Sequence, residues 1–416
     1  MKNYFTEQTN FFGKTNPEEL LKQYGSPLYV YNESILRDRC HDMATLVSYP
    51  KFTSNYSIKA NSNIEILKIA REEGLHADAM SPGEIHVLLA AGYKPEELFY
   101  VSNNVSADEF KEVIAAGVMV SCDSLSQLEL YGKVNPGGRV AIRFNPGVGA
   151  GHCAKVVTGG KNTKFGVNKD LVPEVKEILK KYNLKLVGIN QHVGSLFMEP
   201  TPYIEGVQSL LEIAEQFEDL EFVDMGGGFG IPYKKQEGQP RLELEKTGEK
   251  LTQIMNEWTE KYGKKITFKM EPGRYIVAES GVLLGKVYAK KKNSGKNFVG
   301  TDLGFNVLAR PVMYDSHHEI EVFRDGKLVK GPEEEQVSVV GNICESGDII
   351  AKERLLPQMA EGDIVAVMDA GAYGYSMASN YNNRLRPAEV LICKDGSTRL
   401  IRRRDTYEDL MRNFNV

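Results

Sequence analysis

Four short stretches carry residues whose types and spacing could do chemistry together. Lys59 follows the aromatic and apolar run Tyr56-Ser57-Ile58 and precedes Ala60-Asn61. An amine held at the end of a buried strand is costly, and one kept from water becomes nucleophilic. The bland alternative is a lysine that turns out to solvent. His192-Val193-Gly194-Ser195 pairs an imidazole with a hydroxyl. Asp224-Met225-Gly226-Gly227-Gly228-Phe229-Gly230 places consecutive glycines where backbone N–H groups can face an anion, or where the chain merely makes a tight turn. Glu271-Pro272-Gly273-Arg274 adds an acid and a cation.

An anchored phosphate, an aldehyde-reactive lysine and an acid together imply pyridoxal 5′-phosphate. Lys59 would hold it as a Schiff base, and Glu271 would pair with the pyridine nitrogen and keep it protonated. Ser195, the glycines and Arg274 would take the phosphate. His192 offers a flat ring to cover one face, its bland role being a hydrogen-bonded strand-end histidine. Three later stretches are polar spots in apolar surroundings: Ala309-Arg310-Pro311-Val312-Met313-Tyr314, Gly341-Asn342-Ile343-Cys344-Glu345-Ser346-Gly347-Asp348, and Gly371-Ala372-Tyr373-Gly374-Tyr375-Ser376-Met377. Arg310 suits a carboxylate by its forked geometry, and Glu345 suits an ammonium. Cys344 stands among turn-forming polar residues, whereas a lone cysteine is more often a small buried hydrophobe.

These stretches need elements to position them. Strand-like runs fall at Asn55–Ala60, His76–Met80, Leu98–Ser102, Val118–Cys122, Arg139–Phe144, Leu186–His192, Phe222–Gly226 and Ile266–Glu271. Helix-like segments lie between them, three opening on Ser81, Ser106 and Ser124 with an acid or glutamine three residues on. Eight strands with crossover helices predict a (β/α)8, TIM-like barrel, whose chemistry gathers at the strand C-termini. An open doubly wound sheet is the alternative, but no early Gly-x-Gly-x-x-Gly is present. After Tyr275 the texture becomes β-rich, with strands expected at 282–290, 297–300, 319–323, 337–340, 363–369 and 389–393. Helix is expected only at 352–356 and near 405–414, and Lys290–Lys296 reads as an exposed hairpin tip. The expected domains are a cofactor-binding barrel over 27–275 and a mostly antiparallel β-sandwich or β-barrel over 276–416, joined by residues 1–26.

Composition narrows the function classes. The chain has 416 residues and a formal net charge of −5 with both signs mixed, which argues against nucleic-acid or membrane-surface binding. No long apolar run or export signal stands out. The five cysteines (Cys40, Cys122, Cys153, Cys344, Cys393) are scattered without metal-site spacing, so no disulfide framework or metal site is expected and the chemistry reads as cytoplasmic.

The motifs Tyr56–Asn61 (YSIKAN), Asp78–Glu84 (DAMSPGE), His192–Ser195 (HVGS), Gly226–Tyr233 (GGGFGIPY), Glu271–Arg274 (EPGR), Arg310–Tyr314 (RPVMY), Cys344–Asp348 (CESGD) and Gly371–Asn382 together resemble diaminopimelate decarboxylases, within the alanine-racemase-like (fold-type III) pyridoxal-phosphate enzymes. They run in family order and cover nearly the whole chain. The resemblance implies that Lys59 is the Schiff-base lysine and that His192 stacks on the ring. Asp78, Ser195, Gly227, Gly228, Glu271, Gly273, Arg274 and Tyr373 would complete the cofactor site. Arg274, Arg310, Tyr314, Glu345 and Tyr373 would bind substrate, and Cys344 would be the catalytic acid. It also implies a homodimer in which each Cys344-Glu345-Ser346 segment completes the partner's site, and an N-terminus packed on the β domain. The implied reaction converts meso-2,6-diaminopimelate, at its D-centre, to L-lysine and carbon dioxide, the last step of lysine biosynthesis. Departures from the family pattern are Pro82 for a common glycine, a bulky Thr301–Phe305 run, and a glycine-rich loop over 147–166 with Lys155, Lys161 and Lys164. Rival readings are a decarboxylase of ornithine, arginine or carboxynorspermidine, an amino-acid racemase, which Glu271 disfavours, and a non-catalytic cofactor-binding barrel, which residues 276–416 disfavour.

Overall fold

The computed structural model of the chain describes residues 4–101, 103–147, 149–151, 158–160, 163–331 and 334–415. Cys153, Lys155, Lys161 and much of the glycine-rich loop lie outside the described residues. The chain divides into two compact units: residues 39–231 with 241–276, and residues 1–38 with 232–240 and 277–416.

The first strand of the chain, Leu28–Asn32 (β1), belongs to the second unit. The first unit is a closed parallel barrel of eight strands: Phe52–Ser57 (β2), His76–Ala79 (β3), Leu98–Val101 (β4), Met119–Cys122 (β5), Arg139–Arg143 (β6), Lys185–Asn190 (β7), Phe222–Asp224 (β8) and Thr267–Met270 (β9). They follow one another around the barrel in chain order, and Phe268 aligned with Phe52 closes it. Each of the eight expected strands is present. The outer helices start where the caps predict: Ser81, Ser106 and Ser124 accept the backbone N–H of Glu84, Glu109 and Gln127. One end of the barrel interior is apolar, filled by Phe99, Val101, Ala141, Val187 and Phe222. A Cβ on Gly188 would lie 2.1 Å from the Phe222 ring, so only glycine leaves room for it. Burying such a ring contributes roughly 1.5–3 kcal/mol.

The second unit holds a separate, mostly antiparallel sheet. β1 runs antiparallel to Gly281–Asn293 (β10) and parallel to Ala388–Ile392. The barrel was expected to begin at residue 27; instead this run pairs with strands far along the chain, and the N-terminal share of the second unit reaches Asp38. β10 is irregular between Val287 and Ala289 and continues into a hairpin with Lys296–Thr301, whose tip holds Ser294 and Gly295 at φ 48° and 84°. That tip is the one expected at 290–296. Residues 352–356, expected to be helical, instead lie in the strand Ile349–Pro357, paired with Glu334–Val340. Lysine, glutamate, arginine and leucine favour helix locally, but ladder pairing overrides that weak preference. A strand at Thr398–Arg402 was not anticipated. Phe5, Phe11, Phe12, Leu20 and Leu21 of the N-terminal segment join the core of this sheet with Leu28, Val30, Val282 and Leu284.

Candidate active site

Lys59 does not lie on a strand, as expected, but in the single 3-10 turn Ile58–Ala60 directly after β2. The turn is tied down on both sides. Ser57 N–H donates to the Pro272 carbonyl (3.0 Å) and its hydroxyl to the Glu271 carbonyl (3.2 Å), while Tyr56 Oη donates to the Asn61 carbonyl (3.0 Å). A Cβ on Gly273 would lie 3.0 Å from that of Ser57 and 3.2 Å from that of Ala60. Glycine there lets the Glu271–Arg274 segment sit against the lysine's turn.

The consecutive glycines prove to be a close-packing device. A Cβ on Gly226 would lie 2.2 Å from the Gln191 carbonyl oxygen, one on Gly227 1.9 Å from that of Glu271, and one on Gly228 2.5 Å from that of Gly194. The backbone after β8 is wedged between the chain ends that follow β7 and β9. Gly226 and Gly228 also take φ of 74° and 113°, which glycine adopts without steric cost. Gly227 N–H donates to His192 Nδ1 (3.2 Å), so that nitrogen is an acceptor and the ring carries its proton on Nε2. Burial pushes the His192 pKa well below its usual value, with Lys59 and Arg143 adding to the effect. The 3.9 Å approach of His192 Nδ1 to Glu271 Oε2 is therefore not an ion pair. Arg274 Nη2 donates to Ser195 Oγ (2.8 Å), which brings the two expected phosphate-side residues together. Leu196, next to Ser195, sits at φ 67°, a costly backbone for a branched side chain.

Burial is the main reason that Asp78 and Glu271 both hold their protons more tightly than usual; Glu271 adds to the effect on Asp78, Asp224 adds to that on Glu271, and Lys59 opposes both. Glu271 is 3 % exposed, and its Oε1 has no hydrogen-bond partner among the described residues. A buried acceptor of this kind requires a donor. The ring N–H of a pyridinium is such a donor, and a neutral imidazole beside it suits the face of an aromatic ring. Lys59, His192, Glu271 and the Ser195–Arg274 pair thus fit pyridoxal phosphate in donor type and placement.

The second unit carries the remaining expected residues. Arg310 is 1 % exposed; its guanidinium lies 4.6 Å from the centroid of the Tyr233 ring, and Nη1 donates to His318 Nε2 (2.7 Å). His318 Nδ1 in turn donates to the Met368 carbonyl (2.8 Å). Tyr314 and Tyr373 are half-buried, and Tyr373 holds φ of 55°. Cys344 and Glu345 are exposed. Cys344 N–H donates to Asn382 Oδ1 (2.9 Å), and Tyr381 Oη donates to Glu345 Oε1 (2.6 Å).

Comparison with known proteins decides the family. Residues 33–278 match the family described as pyridoxal-dependent decarboxylase, pyridoxal binding domain. The diaminopimelate decarboxylase of Methanothermobacter thermautotrophicus is 41 % identical over 413 residues, 97 % of this chain and 95 % of that protein. That of Escherichia coli is 35 % identical over 411 residues, 95 % and 96 % of the two chains. The crystal structure of diaminopimelate decarboxylase from Helicobacter pylori complexed with L-lysine superposes with a TM-score of 0.86 at 33 % identity, covering 95 % of this chain and 98 % of that one. The chain belongs to the diaminopimelate decarboxylase family.

For a diaminopimelate decarboxylase, several buried charges at this site had no assigned role in the sequence. Glu84 was read only as part of a helix start; its Oε2 accepts the Met80 N–H (2.6 Å), and burial raises its pKa against the pull of Lys59. Arg143 is buried over the Phe165 ring at 4.6 Å, and its Nη2 lacks a partner among the described residues. Asp224 and Lys269 face the barrel interior one layer from Glu271. Strand alternation could have found them: Lys269 precedes Glu271 by two, and Arg143 ends β6 as Asp224 ends β8.

Proposed function

We propose that the chain acts as a pyridoxal-phosphate-dependent carboxy-lyase that removes the carboxylate from the D-centre of meso-2,6-diaminopimelate and yields L-lysine, in the last step of lysine biosynthesis. The observation that carries this reading is the buried Glu271 Oε1, which has no hydrogen-bond partner among the described residues, on the same barrel rim as Lys59 and a neutral His192. A carboxylate at the ring nitrogen keeps that nitrogen protonated and favours decarboxylation over racemisation. When bound, pyridoxal phosphate supplies an electron sink for the pair left behind by the departing carboxylate. Lys59 anchors it, His192 covers one face, and Ser195, Gly227, Gly228, Gly273 and Arg274 hold the phosphate side. Asp78 faces Lys59 as a buried acid that holds its proton more tightly than usual, and Tyr373 touches both cofactor and substrate.

Arg310, Tyr314 and Glu345, with Arg274, read the distal amino-carboxylate end of the substrate. A correct distal end leaves these groups paired, and a substrate lacking it leaves buried charge unmet, a stronger filter than apolar shape. Cys344 Sγ delivers the proton to the α-carbon that has lost its carboxylate. The L-lysine seen with the Helicobacter pylori relative is the expected product.

The working form is a homodimer, with each Cys344-Glu345-Ser346 segment completing the partner's site. Support comes from Cys344–Gly347, exposed in the single chain, and from Val312, Met313 and Tyr381, large side chains left 42 %, 46 % and 45 % exposed. A cytoplasmic location accords with Cys40, Cys122, Cys344 and Cys393 forming no disulfide among the described residues, and no helix among those residues is long and apolar enough to cross a membrane. The test is carbon dioxide release from a panel of meso-, LL- and DD-diaminopimelate, lysine, ornithine and arginine. Turnover of the meso isomer alone is expected; turnover of ornithine without the meso isomer would overturn the assignment.

A further inference from the structure

The polar layer inside the barrel beneath Glu271 has no role in the chemistry described so far. The strand register defines it: Asn190 aligns with Asp224, Asp224 with Lys269, Lys269 with Thr53, and Arg143 with Asn190. Glu271 lies two residues beyond Lys269, on the same face and one layer higher. Asp224 has no exposed surface. Its Oδ1 accepts the Gly226 N–H (2.9 Å), and the Gly226 carbonyl accepts the Glu271 N–H (3.1 Å), so one residue links the two acids. Asp224 Oδ2 has no hydrogen-bond partner among the described residues, like Glu271 Oε1 above it. The cation opposite Asp224 does not close on it: Lys269 Nζ rests 4.5 Å from the Phe222 ring centroid and 5.3 Å from that of Phe99.

A buried carboxylate without an ion partner is expensive, and two such carboxylates in adjacent layers cannot both stay ionised. We propose that Asp224 and Glu271 form a carboxyl pair that retains one shared proton, and that Asp224 is a positioning residue holding this proton at Glu271, ready for the ring nitrogen of the cofactor. On loading, the proton passes from the Glu271 carboxyl to that nitrogen, leaving Glu271 as the carboxylate and the nitrogen as its N–H partner. Lys269 limits the pair to one proton. The groups facing the pair from the surrounding elements are Lys59 after β2, Asp78 on β3, Arg143 on β6, His192 after β7, Lys269 on β9 and Tyr203 on the helix Thr201–Ala214. Burial raises the pKa of both acids; Asp224 then adds to the effect on Glu271, Asp78 adds to that on Asp224, the Gly226 N–H opposes it at Asp224, and Lys269 opposes it for both. Buried pairs of this kind titrate as a unit.

The inference rests on Glu271 facing the ring nitrogen, and infrared difference spectroscopy of the full chain separates the two claims. Without cofactor at neutral pH, the wild-type chain should show a protonated carboxyl band that disappears in Glu271→Gln and on loading with pyridoxal phosphate. Persistence of the band after loading would overturn the placement of Glu271. In the cofactor-free chain, Asp224→Asn should move the loss of the band to lower pH, because the neighbouring cations then act on Glu271 alone. Lys269→Met should move it to higher pH, and this second variant decides the matter where Asp224→Asn does not fold. A band whose pH dependence is the same as wild type in either folded variant would overturn the pairing. A merely structural role for Asp224 would lower stability without moving the band.

Discussion

Replacing Gly227 with alanine puts a methyl group where the chain has no room. The new Cβ would lie 1.9 Å from the Glu271 carbonyl oxygen, against a floor of 3.0 Å for real Cβ contacts, so the two segments must separate by at least 1.1 Å (3.0 minus 1.9). The Cβ position is fixed by the backbone and the oxygen it meets is a backbone atom, so no side-chain rotation relieves the clash. The displaced carbonyl is also the acceptor of the Ser57 hydroxyl, beside the turn that carries Lys59. The displaced Gly227 N–H fixes the His192 tautomer. One methyl group therefore disturbs the lysine, the acid and the imidazole together. A misplacement of about 1 Å at a reacting centre costs on the order of 100-fold, and cofactor affinity should fall by a comparable factor. Titration of the cofactor-free variant with pyridoxal phosphate, followed by absorbance, measures this. Gly238→Ala is the control: φ is 78° there, but no atom lies within 4 Å of the added Cβ. It should lower stability by about 1–2 kcal/mol and leave cofactor affinity unchanged. A folded Gly227→Ala variant with wild-type affinity would refute the close-packing account of the glycines.

Other outcomes follow from the same geometry. Burial holds Asp78, Asp224 and Glu271 protonated to higher pH in the folded chain than in the unfolded one. At these three groups the folded state binds more protons, so their contribution to the stability of the cofactor-free chain is fullest below the ordinary carboxylate range and falls as pH rises through the raised values. Thermal unfolding of the wild-type chain and of Glu271→Gln between about pH 5 and about pH 8 checks this; the wild type should lose stability relative to the variant as pH rises, and the opposite trend would contradict it. Arg310→Lys keeps the charge but loses the planar fork stacked on Tyr233; KM for diaminopimelate should rise roughly ten-fold or more with cofactor affinity unchanged. An unaltered KM would remove Arg310 from substrate recognition. Cys344→Ala should bind cofactor normally and lose turnover by roughly 100-fold or more; full turnover would end its assignment as the acid.

Much of the barrel was legible in the sequence because short strand-like runs alternate regularly with helix-like segments, three of them opening on a capping serine. Reactive residues at the ends of such runs share a rim, and for that reason the sequence alone groups Lys59, His192, Ser195, Glu271 and Arg274. Pairing between distant strands left no such mark. Leu28–Asn32 alternates like any strand, and nothing local assigns it to a sheet with residues 281–293 and 388–392. Residues 352–356 misled because helix-forming side chains occupy an edge where the ladder decides. Asp224 and Arg143 were passed over because a single charge in an apolar run looks like a strand end until the register shows which layer it enters. The glycines were read as an anion cradle; their first duty is to let three chain segments meet at backbone contact.

The most direct measurement uses meso-diaminopimelate labelled with carbon-13 only in the carboxylate of its D-centre, incubated with the purified chain and pyridoxal phosphate. The account predicts labelled carbon dioxide and unlabelled L-lysine in equal amounts. Label retained in the amino-acid product, or no lysine formed, would contradict it.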